Sequence, residues 1–328
     1  MKYAKDTRPK GASSKAAEIL AEALPWIKNI TGKTVVIKYG GSAMVDERLR
    51  AQVMNDIVLL KIVGVNPVIV HGGGLAINEA MERMQLPVEF KDGQRVTTPE
   101  AMDLVRTVLM GKVNQELVEA LNEHGNFAVG VSGADAGVIV AEQFSVDLGR
   151  VGRITRINRP LLDDLVAGDY IPVVASVALG EDGGFYNVNA DMVAGNIAAA
   201  IGAHKVMFLT DVDGLYENFE DKDTLISNLT VFEAQYMIEN NIVSTGMIPK
   251  LKSCVHALDA GVFRAHILNG TTPHALLLEL LTSIGVGTTM HSTEESCKFD
   301  AHPLGKFASK LLENREQALL EMQHHQQR

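Results

Sequence analysis

Residues 34–41 read TVVIKYGG and residues 66–74 read NPVIVHGGG, so two short apolar runs each end in a group of glycines. Both runs are rich in β-branched residues, which favour strands. Between them, residues 47–63 carry apolar side chains at the spacing of one face of a helix. A strand, a glycine turn, a helix and a second strand are typical of parallel strands joined by a crossover helix.

The same alternation continues along the chain. It predicts strands over 127–131, 171–175, 205–209 and 263–268, and helices over 99–123, 190–202, 230–240 and 248–261, with hairpin strands inside 137–157. Strands that are apolar throughout are buried on both faces, because helices cover each side of a parallel sheet. The pattern therefore predicts an α/β fold with a mostly parallel sheet.

The two ends of the chain differ from this body. Residues 16–27 carry one apolar helical stripe, and Pro25 should kink or break that helix. The stripe either packs on its own domain or forms a subunit contact, and the sequence favours neither. Residues 1–15 are basic and predict a solvated tail, with an organellar address as the alternative. Residues 292–328 are polar and predict a loose or disordered tail.

Composition narrows the class of protein. The chain has 328 residues and a formal net charge of −10, and it lacks the clustered cations with which nucleic-acid-binding proteins neutralise phosphates. No apolar run reaches the roughly 20 residues of a membrane span. Its cysteines, Cys254 and Cys297, are too few for a disulfide framework. We therefore expect a cytoplasmic protein that binds neither nucleic acid nor membrane.

The common nucleotide fingerprints do not fit. Residues 32–34 resemble the end of a P-loop, but Ile27 stands where its first glycine belongs. In the second turn, Gly72 and Gly74 are followed by Ile77, where a dinucleotide fingerprint needs a third glycine. These failures argue against a Walker kinase and a Rossmann dehydrogenase.

The two glycine turns instead predict an anion site. Ligands of parallel sheets bind at the carboxyl ends of the strands, where glycine lets backbone N–H groups approach an anion. Lys38 stands two residues before Gly40 and would add a positive charge there. Lys38 could equally be a surface lysine that extends its ammonium group into water.

Four further polar segments stand out, and the first three have two interpretations each. Residues 186–191 (YNVNAD) either face a ligand or cap a helix, and residues 210–214 (TDVDG) either bind Mg²⁺ or form an Asx turn. Arg95 follows a predicted tight turn and is either a carboxylate ligand or a surface residue. Residues 245–250 open a helix, so Lys250 would lie at its positive end.

Five segments, in this order and spacing, resemble the motifs of the amino-acid kinase family, in particular its kinases of N-acetyl-L-glutamate: residues 35–41, 68–74, 186–191, 209–216 and 247–250. The resemblance covers about residues 31–291. It implies an αβα sandwich around an open, mainly parallel sheet, with an extra kinked helix at the N-terminus. It also implies a division into an N-terminal tail and oligomerisation helix (1–30), an acyl-amino-acid lobe (31–202), an ATP lobe (203–291) and a polar tail (292–328).

The activity that the resemblance implies is transfer of the γ-phosphoryl group of ATP to the side-chain carboxylate of N-acetyl-L-glutamate, in arginine biosynthesis. Mg²⁺ would arrive with the nucleotide, and the protein itself would supply no metal site. Carried over onto this chain, the family's roles assign Lys38, Lys250 and Asp191 to catalysis. They assign Gly73, Gly74, Arg95, Asn187 and Asn189 to the acyl amino acid. ATP would bind at Gly40, Gly41, Thr210, Asp211, Val212, Asp213, Gly214, Leu215, Gly246 and Met247.

The N-terminal helix resembles the extension of hexameric members that arginine inhibits, in which such helices join three dimers. Lys205, His266, Glu279 and Gly285 match the arginine-site pattern of those members, although structural roles suit His266 and Glu279 as well. We therefore expect arginine as an effector and a hexamer built as a trimer of dimers.

The chain departs from the family pattern at Leu75, Thr245 and residues 175–177, where proline, glycine and Ala-Pro-Ile are usual. Three alternatives remain: a kinase of an aminoadipate derivative or carbamate, a uridylate kinase, and a non-catalytic arginine sensor. Arg95 and residues 187–191 disfavour the uridylate kinase, and the presence of all three catalytic residues disfavours the sensor. An aspartokinase would need a longer C-terminal module than the 37 residues after 291.

Overall fold

The fold is described from a computed structural model. It describes residues 10–41, 44, 46–91, 93–218, 220–244, 246–282 and 285–292, with side chains from residue 18 onward. Of the predicted N-terminal tail 1–15, residues 10–15 instead belong to the helix that begins at Lys10, and residues 1–9 lie outside this range, as do Thr245 and the predicted tail after residue 292.

Helices and strands alternate as predicted. The helices are α1 Lys10–Ile30, α2 Glu47–Ile62, α3 Gly74–Arg83, α4 Pro99–Val108, α5 Gln115–Asn122, α6 Pro160–Ala167, α7 Ala190–Ile201, α8 Val231–Glu239, α9 Ile248–Asp259 and α10 Ala275–Leu281. The strands are β1 Thr34–Tyr39, β2 Asn66–His71, β3 Phe90–Lys91, β4 Gln94–Arg95, β5 Ala128–Ser132, β6 Ile139–Gln143, β7 Gly152–Ile157, β8 Ile171–Ala175, β9 Val177–Gly180, β10 Phe185–Asn187, β11 Lys205–Thr210, β12 Asn228–Thr230, β13 Arg264–Asn269 and β14 Thr288–His291.

The main sheet has eight strands in the order β12-β14-β13-β11-β1-β2-β8-β5. The six strands from β13 to β5 are mutually parallel, while β14 runs antiparallel to β13 and parallel to β12. This confirms the predicted open, mainly parallel sheet. Strand β1 lies at its centre, between β2 and β11, so three carboxyl ends meet there.

Each face of this sheet carries its own hydrophobic core, because alternate side chains of a strand point to opposite faces. Ile37 and Val35 belong to one core with α2, α3, α5 and α10. Val36 belongs to the other with α6, α7, α8 and α9. The arrangement is the predicted αβα sandwich. Both cores contain residues from before and after position 203, and the division into two lobes there stays a prediction.

Two smaller sheets flank the sandwich. The predicted hairpin within 137–157 is present as β6 and β7, which pair antiparallel in a four-stranded sheet with β9 and β10. Strands β3 and β4 form a separate hairpin. Sequence analysis missed β9, β10, β12 and β14 because each has only three or four residues, too few for a periodic pattern.

Two helices differ from expectation. The helix predicted over 99–123 is α4 and α5 joined by a π-helical segment, Leu109–Asn114, whose wider turn leaves no signal in apolar spacing. Helix α1 continues through Pro25, so of the two predicted effects of this proline the break was wrong and the kink stays a prediction. Among the described residues, no helix is long and apolar enough to cross a membrane.

Candidate active site

The two glycine turns and the segment after β11 lie side by side at the centre of the sheet. Tyr39 pairs with His71, and Lys38 pairs with Phe208 of β11. The residues that follow these strands therefore emerge at one edge, at the carboxyl ends of three neighbouring strands. Open α/β sheets bind their ligands at this place.

Asp191 joins two lysines at this edge. Its Oδ1 lies 3.1 Å from the Nζ of Lys38, and its Oδ2 accepts a hydrogen bond from the Nζ of Lys250 at 3.0 Å. The side chains are 11%, 7% and 16% exposed for Lys38, Asp191 and Lys250. Burial opposes ionisation of Asp191, but the charges of the lysines prevail and hold the pKa of its carboxyl below the usual value. The three predicted catalytic residues thus form one ionised cluster.

The elements that carry these groups explain why they meet. Asp191 lies in the first turn of α7 and Lys250 in the first turn of α9, where Met247 precedes the helix. Gly195 lets the two helices approach closely, since a Cβ there would lie 2.8 Å from the Ser253 carbonyl oxygen. Sequence analysis did not single out Gly195, although a glycine inside an apolar helix is a signal of close packing.

Glycines also shape the turn after β1. A Cβ on Gly40 would lie 2.6 Å from the Lys38 Nζ, so glycine leaves room for the ammonium group. Gly41 has a φ of +79° and lies against the carboxylate of Asp211. A side chain at Gly41 would therefore be both strained and in contact with that carboxylate.

The turn after β2 runs into α3, whose first residue is Gly74. A Cβ on Gly73 would lie 2.7 Å from Leu109 Cδ2, so the π-helical segment packs directly against this glycine. Leu75 is 51% exposed and contributes to the wall of the neighbouring cavity. The backbone N–H groups of this helix start are positioned to attract an anion.

Arg95 is buried at the end of the β3–β4 hairpin, where burial lowers the pKa of its guanidinium. Its Nη2 donates to the Gly74 carbonyl at 3.1 Å, which places it beside the second glycine turn. Thr97 links it to Asn187: the Asn187 Nδ2 donates to the Thr97 hydroxyl, which donates to the Arg95 carbonyl. Arg95 and Asn187 are therefore brought close together.

Asn189 differs from the other predicted substrate residues. Its side-chain oxygen accepts from the backbone N–H groups of Asp191 and Met192 and caps α7. The helix-cap reading of residues 186–191 thus holds for this residue. Only its Nδ2 remains for a ligand.

The predicted nucleotide segment after β11 is held by other loops. Asp213 accepts hydrogen bonds from Tyr216 and from Asn269, and the Leu215 N–H donates to the Thr288 hydroxyl at 2.9 Å. Gly214 allows that contact, because a Cβ there would lie 2.4 Å from the same hydroxyl. Thr210 ends β11 and Val212 packs on the core. On the opposite side, the Gly246 carbonyl lies 3.4 Å from Lys250 Nζ.

A cavity of about 440 Å³ opens beside both glycine turns. Lys38, Gly40, Gly41 and residues 72–74 line one side of it. Its other side carries charged residues of α2, α3, the π-helical segment and α5 that sequence analysis missed: Glu47, Arg50, Glu79, Lys112 and Glu116. These residues lie on separate elements, at positions that ordinary solvent-exposed charged residues also occupy, so nothing in the sequence marks them as lining a cavity.

The four residues of the arginine pattern gather at another place. His266 Nδ1 donates to Glu279 Oε1 at 2.7 Å, and the Val286 N–H donates to Oε2 at 3.0 Å. Gly285 lies beside Oε2, since a Cβ there would be 3.7 Å from this oxygen. Burial lowers the pKa of Lys205 to about 8, and Glu279 opposes that shift. Lys205 begins β11 and Thr210 ends it, so these two residues lie about 16 Å apart along the strand.

Neither cluster offers an obvious metal cage. Within the described ranges, no group of three or more His, Cys, Asp or Glu residues is placed to hold a metal ion. Both oxygens of Asp191 already face lysines. An Mg²⁺ ion carried by nucleotide phosphates needs few protein ligands and suits this site.

Residues 33–269 match the family model of the amino acid kinase family. This chain belongs to the amino acid kinase family. Two curated relatives named acetylglutamate kinase are close to it. The one from Halothermothrix orenii is 50% identical over 277 residues, which are 83% of this chain and 96% of the relative. The one from Nostoc sp. is 46% identical over 286 residues, 87% and 96% of the two chains.

A solved structure gives the same fold for this amino acid kinase. The N-acetylglutamate synthase from Neisseria gonorrhoeae, complexed with coenzyme A and N-acetyl-glutamate, superposes with a TM-score of 0.75 at 24% identity. The match covers 84% of this chain and 63% of the synthase chain. At that identity the likeness supports the fold alone.

Proposed function

We propose that this kinase transfers the γ-phosphoryl group of ATP to the side-chain carboxylate of N-acetyl-L-glutamate, a step of arginine biosynthesis. One observation carries the proposal: Asp191 holds the ammonium groups of Lys38 and Lys250 at the glycine turns. Such a pair is suited to neutralising charge on a phosphoryl group in transfer. The acetylglutamate kinases that are 46–50% identical over most of the chain support this acceptor.

The reaction needs alignment and charge neutralisation rather than a general base. A carboxylate is already ionised at pH 7, so no proton has to be removed from the nucleophile. One carboxylate oxygen attacks the γ-phosphorus, the bond from that phosphorus to the bridging oxygen breaks, and ADP leaves with the electron pair. Lys38, near the carboxyl end of β1, and Lys250, in the first turn of α9, would stabilise the phosphoryl oxygens from two sides.

The remaining groups would bind the two substrates. Arg95 would bind the α-carboxylate of the acyl amino acid, and Asn187 and the Nδ2 of Asn189 would contact it nearby. Backbone N–H groups of Gly41, Gly73 and Gly74 would donate to the phosphoryl group and the acceptor. The ATP site would comprise Gly40, Gly246, Met247 and the segment 210–215. Mg²⁺ would supply further neutralisation of the phosphates when bound with the nucleotide.

Regulation by arginine forms a second part of the proposal. The buried cluster of Lys205, His266 and Glu279, with Gly285 beside the Glu279 carboxylate, offers carboxylate and ammonium groups suited to an amino acid. Helix α1 contacts α10, which carries Glu279. An effector bound here would therefore lie close to the helix that we propose as an oligomer contact.

The proposed assembly is a hexamer, a trimer of dimers joined through α1. Ile19, Leu20 and Leu24 are 64–69% exposed on this helix, whereas Ile27 and Ile30 pack on the core. A stripe of large apolar side chains left in water favours the subunit contact over packing on its own domain. Since ATP is the phosphoryl donor, we expect the enzyme to work in the cytoplasm.

The test is product capture with hydroxylamine, which converts an acyl phosphate into a coloured hydroxamate, alongside ADP release. We expect both signals with N-acetyl-L-glutamate and neither with N-acetyl-L-glutamine, which lacks the side-chain carboxylate. Hydroxamate from carbamate or an aminoadipate derivative instead would keep the kinase and overturn the acceptor. ADP release without hydroxamate would show ATP hydrolysis only and would contradict the proposal. Adding millimolar arginine to the same assay tests the regulation separately.

A further inference from the structure

Two buried polar side chains lie behind the second glycine turn, and the mechanism above assigns them no role. His71 ends β2, and Asn114 ends the π-helical segment. Both side chains are fully buried. Burying a polar side chain costs free energy unless its hydrogen bonds are made, so the partners of this pair are informative.

The direction of each hydrogen bond follows from the chemistry of the partners. Asn114 Nδ2 lies 2.8 Å from the Val173 carbonyl, which can only accept, so this atom is the amide nitrogen. It also lies 3.0 Å from His71 Nε2, which must therefore accept. The proton of a neutral imidazole then lies on Nδ1, which donates to the Gly72 carbonyl at 2.9 Å. Burial lowers the pKa of His71 to about 4, so the ring is neutral at pH 7.

Fixing the Gly72 carbonyl also fixes the N–H group of Gly73. The two groups belong to one peptide plane and point in opposite directions when the bond is trans, and the described chain has no cis peptide. Glycines flank this bond on both sides, and without side chains they place little restraint on its rotation. Within the described residues, the Gly73 N–H donates to no other group.

We propose that Asn114 and His71 are positioning residues that orient the Gly72–Gly73 peptide, so that the Gly73 N–H points at the reacting phosphoryl or carboxylate oxygens. The inference rests on the proposed function, because it assigns a task to that same site. The chain of contacts runs from the Asn114 amide through the His71 ring to the Gly72 carbonyl.

The π-helical segment supplies a second observation. Its residues Leu109 and Val113 pack against Gly73, and its last residue, Asn114, contacts His71. One irregular turn therefore both packs against the glycine and fixes the orientation of its peptide plane. Asn114 Oδ1 is buried without a hydrogen-bond partner among the described residues. An unpaired buried acceptor lowers stability, so stability alone does not explain an asparagine here. Irregular helical turns of this kind are frequent at functional sites.

Two matched variants separate positioning from structure. Asn Nδ2 occupies the place of His Nδ1, so His71→Asn keeps the donor to Gly72 and loses the acceptor for Asn114. His71→Gln keeps an acceptor near Nε2 and loses the donor to Gly72. We expect kcat for His71→Asn to exceed that of His71→Gln by about tenfold or more, with similar thermal midpoints and KM for ATP, since one misaligned donor costs on the order of 10–10³ in kcat.

Equal kcat values for the two folded variants would overturn the proposal. If neither variant folds, a neutron structure of the wild-type protein decides it without any substitution. A deuterium on His71 Nδ1 supports the proposal, and a deuterium on Nε2 alone overturns it. The neutron result does not depend on the acceptor substrate. Absence of hydroxamate with the wild-type enzyme would therefore refute the proposed function while the tautomer still reported on the positioning.

Discussion

At the scale of single residues, the site depends on one carboxylate that is shared by two lysines. Asp191 is ionised although it is almost fully buried, because Lys38 and Lys250 lie 3.1 and 3.0 Å from its oxygens. The same contacts hold the two ammonium groups at a fixed separation before ATP binds. Preorganised charge of this kind contributes most when it is aimed at charge that develops in the transition state.

Replacing Lys250 by alanine should therefore reduce turnover much more than stability. We expect kcat to fall by about 10²–10³-fold, because one of the two groups that we propose to stabilise the phosphoryl oxygens is lost. Asp191 keeps Lys38, so the midpoint of thermal unfolding should change by only a few degrees. Lys252→Ala, an exposed lysine of the same helix, is the matched control and should keep wild-type turnover. A loss of stability as large as the loss of rate would count against the catalytic role.

His71 leads to a prediction about pH. Its pKa is about 4 in the folded protein and about 6.5 when unfolded, because burial disfavours the charged ring. The unfolded state binds more protons between these values. The free energy of unfolding should thus fall as pH drops from about 6.5 to about 4, by up to about 1.4 kcal/mol per pH unit for this group. Burial of His266 acts in the same direction.

Urea denaturation between pH 7.5 and 4.5 measures this dependence. His71→Asn should show a shallower decline than the wild-type protein, since the titrating ring is gone. His256→Asn removes an exposed histidine and should leave the slope unchanged. Parallel curves for the wild-type protein and His71→Asn would contradict the assignment of a depressed pKa.

At the scale of elements, helix starts and close helix packing position the site. Helices α7 and α9 bring their first turns together because Gly195 removes a side chain between them. The π-helical segment between α4 and α5 reaches Gly73 in a similar way. Helix α10 carries Glu279 to β13 and touches α1, so the proposed effector site joins three elements.

Glu279→Gln tests this second cluster. The change removes the negative charge facing His266 and Lys205 and nearly preserves the shape of the side chain. We expect inhibition by arginine to weaken by at least tenfold, while turnover without arginine stays within about threefold of wild type, because an ion pair to a charged effector contributes about 1.5–3 kcal/mol. Glu239→Gln changes an exposed residue of α8 in the same way and serves as the control. An unchanged arginine concentration for half-inhibition would exclude the cluster as the effector site.

At the scale of the whole molecule, α1 is an apolar helix that the described chain only partly covers. Ile30 is buried, but Leu20 and Leu24 are 69% and 64% exposed. The remainder of the fold is a closed sandwich with a core on each face of the sheet. An exposed stripe on an otherwise well-packed protein is the natural place for assembly.

The double variant Leu20→Glu and Leu24→Glu should therefore reduce the mass of the assembly in light scattering, from hexamer to dimer. Charges in an apolar contact are costly to bury, whereas the active site lies elsewhere and should keep most of its turnover without arginine. Ala21→Glu adds a charge on an exposed position outside the stripe and should leave the mass unchanged. A hexamer that survives the double variant would show that α1 is not its contact.

The sequence by itself determined the parallel sheet and the glycine turns, and it predicts Lys38, Lys250 and Asp191 as the catalytic residues. Apolar periodicity predicts strands and crossover helices, and crossover connections force the strand ends of Lys38 and His71 to one edge. Five motifs in fixed order then assigned roles to Asp191 and Lys250, which stand 59 residues apart. The predicted sheet and the meeting of these residues were confirmed because both follow from local pattern and from the order of segments along the chain, whereas their roles stay predictions.

Only the tertiary structure decided which polar groups face one another. The side-chain oxygen of Asn189 caps α7, and Gly195 lies where α7 and α9 pack against each other. Asn114 contacts His71 from a π-helical turn that the apolar periodicity of the sequence does not reveal. Each depends on atoms that lie far apart in sequence and within about 3 Å in space. Spacing along a chain fixes the face of an element, but the direction of a side chain in three dimensions is set by the packing around it.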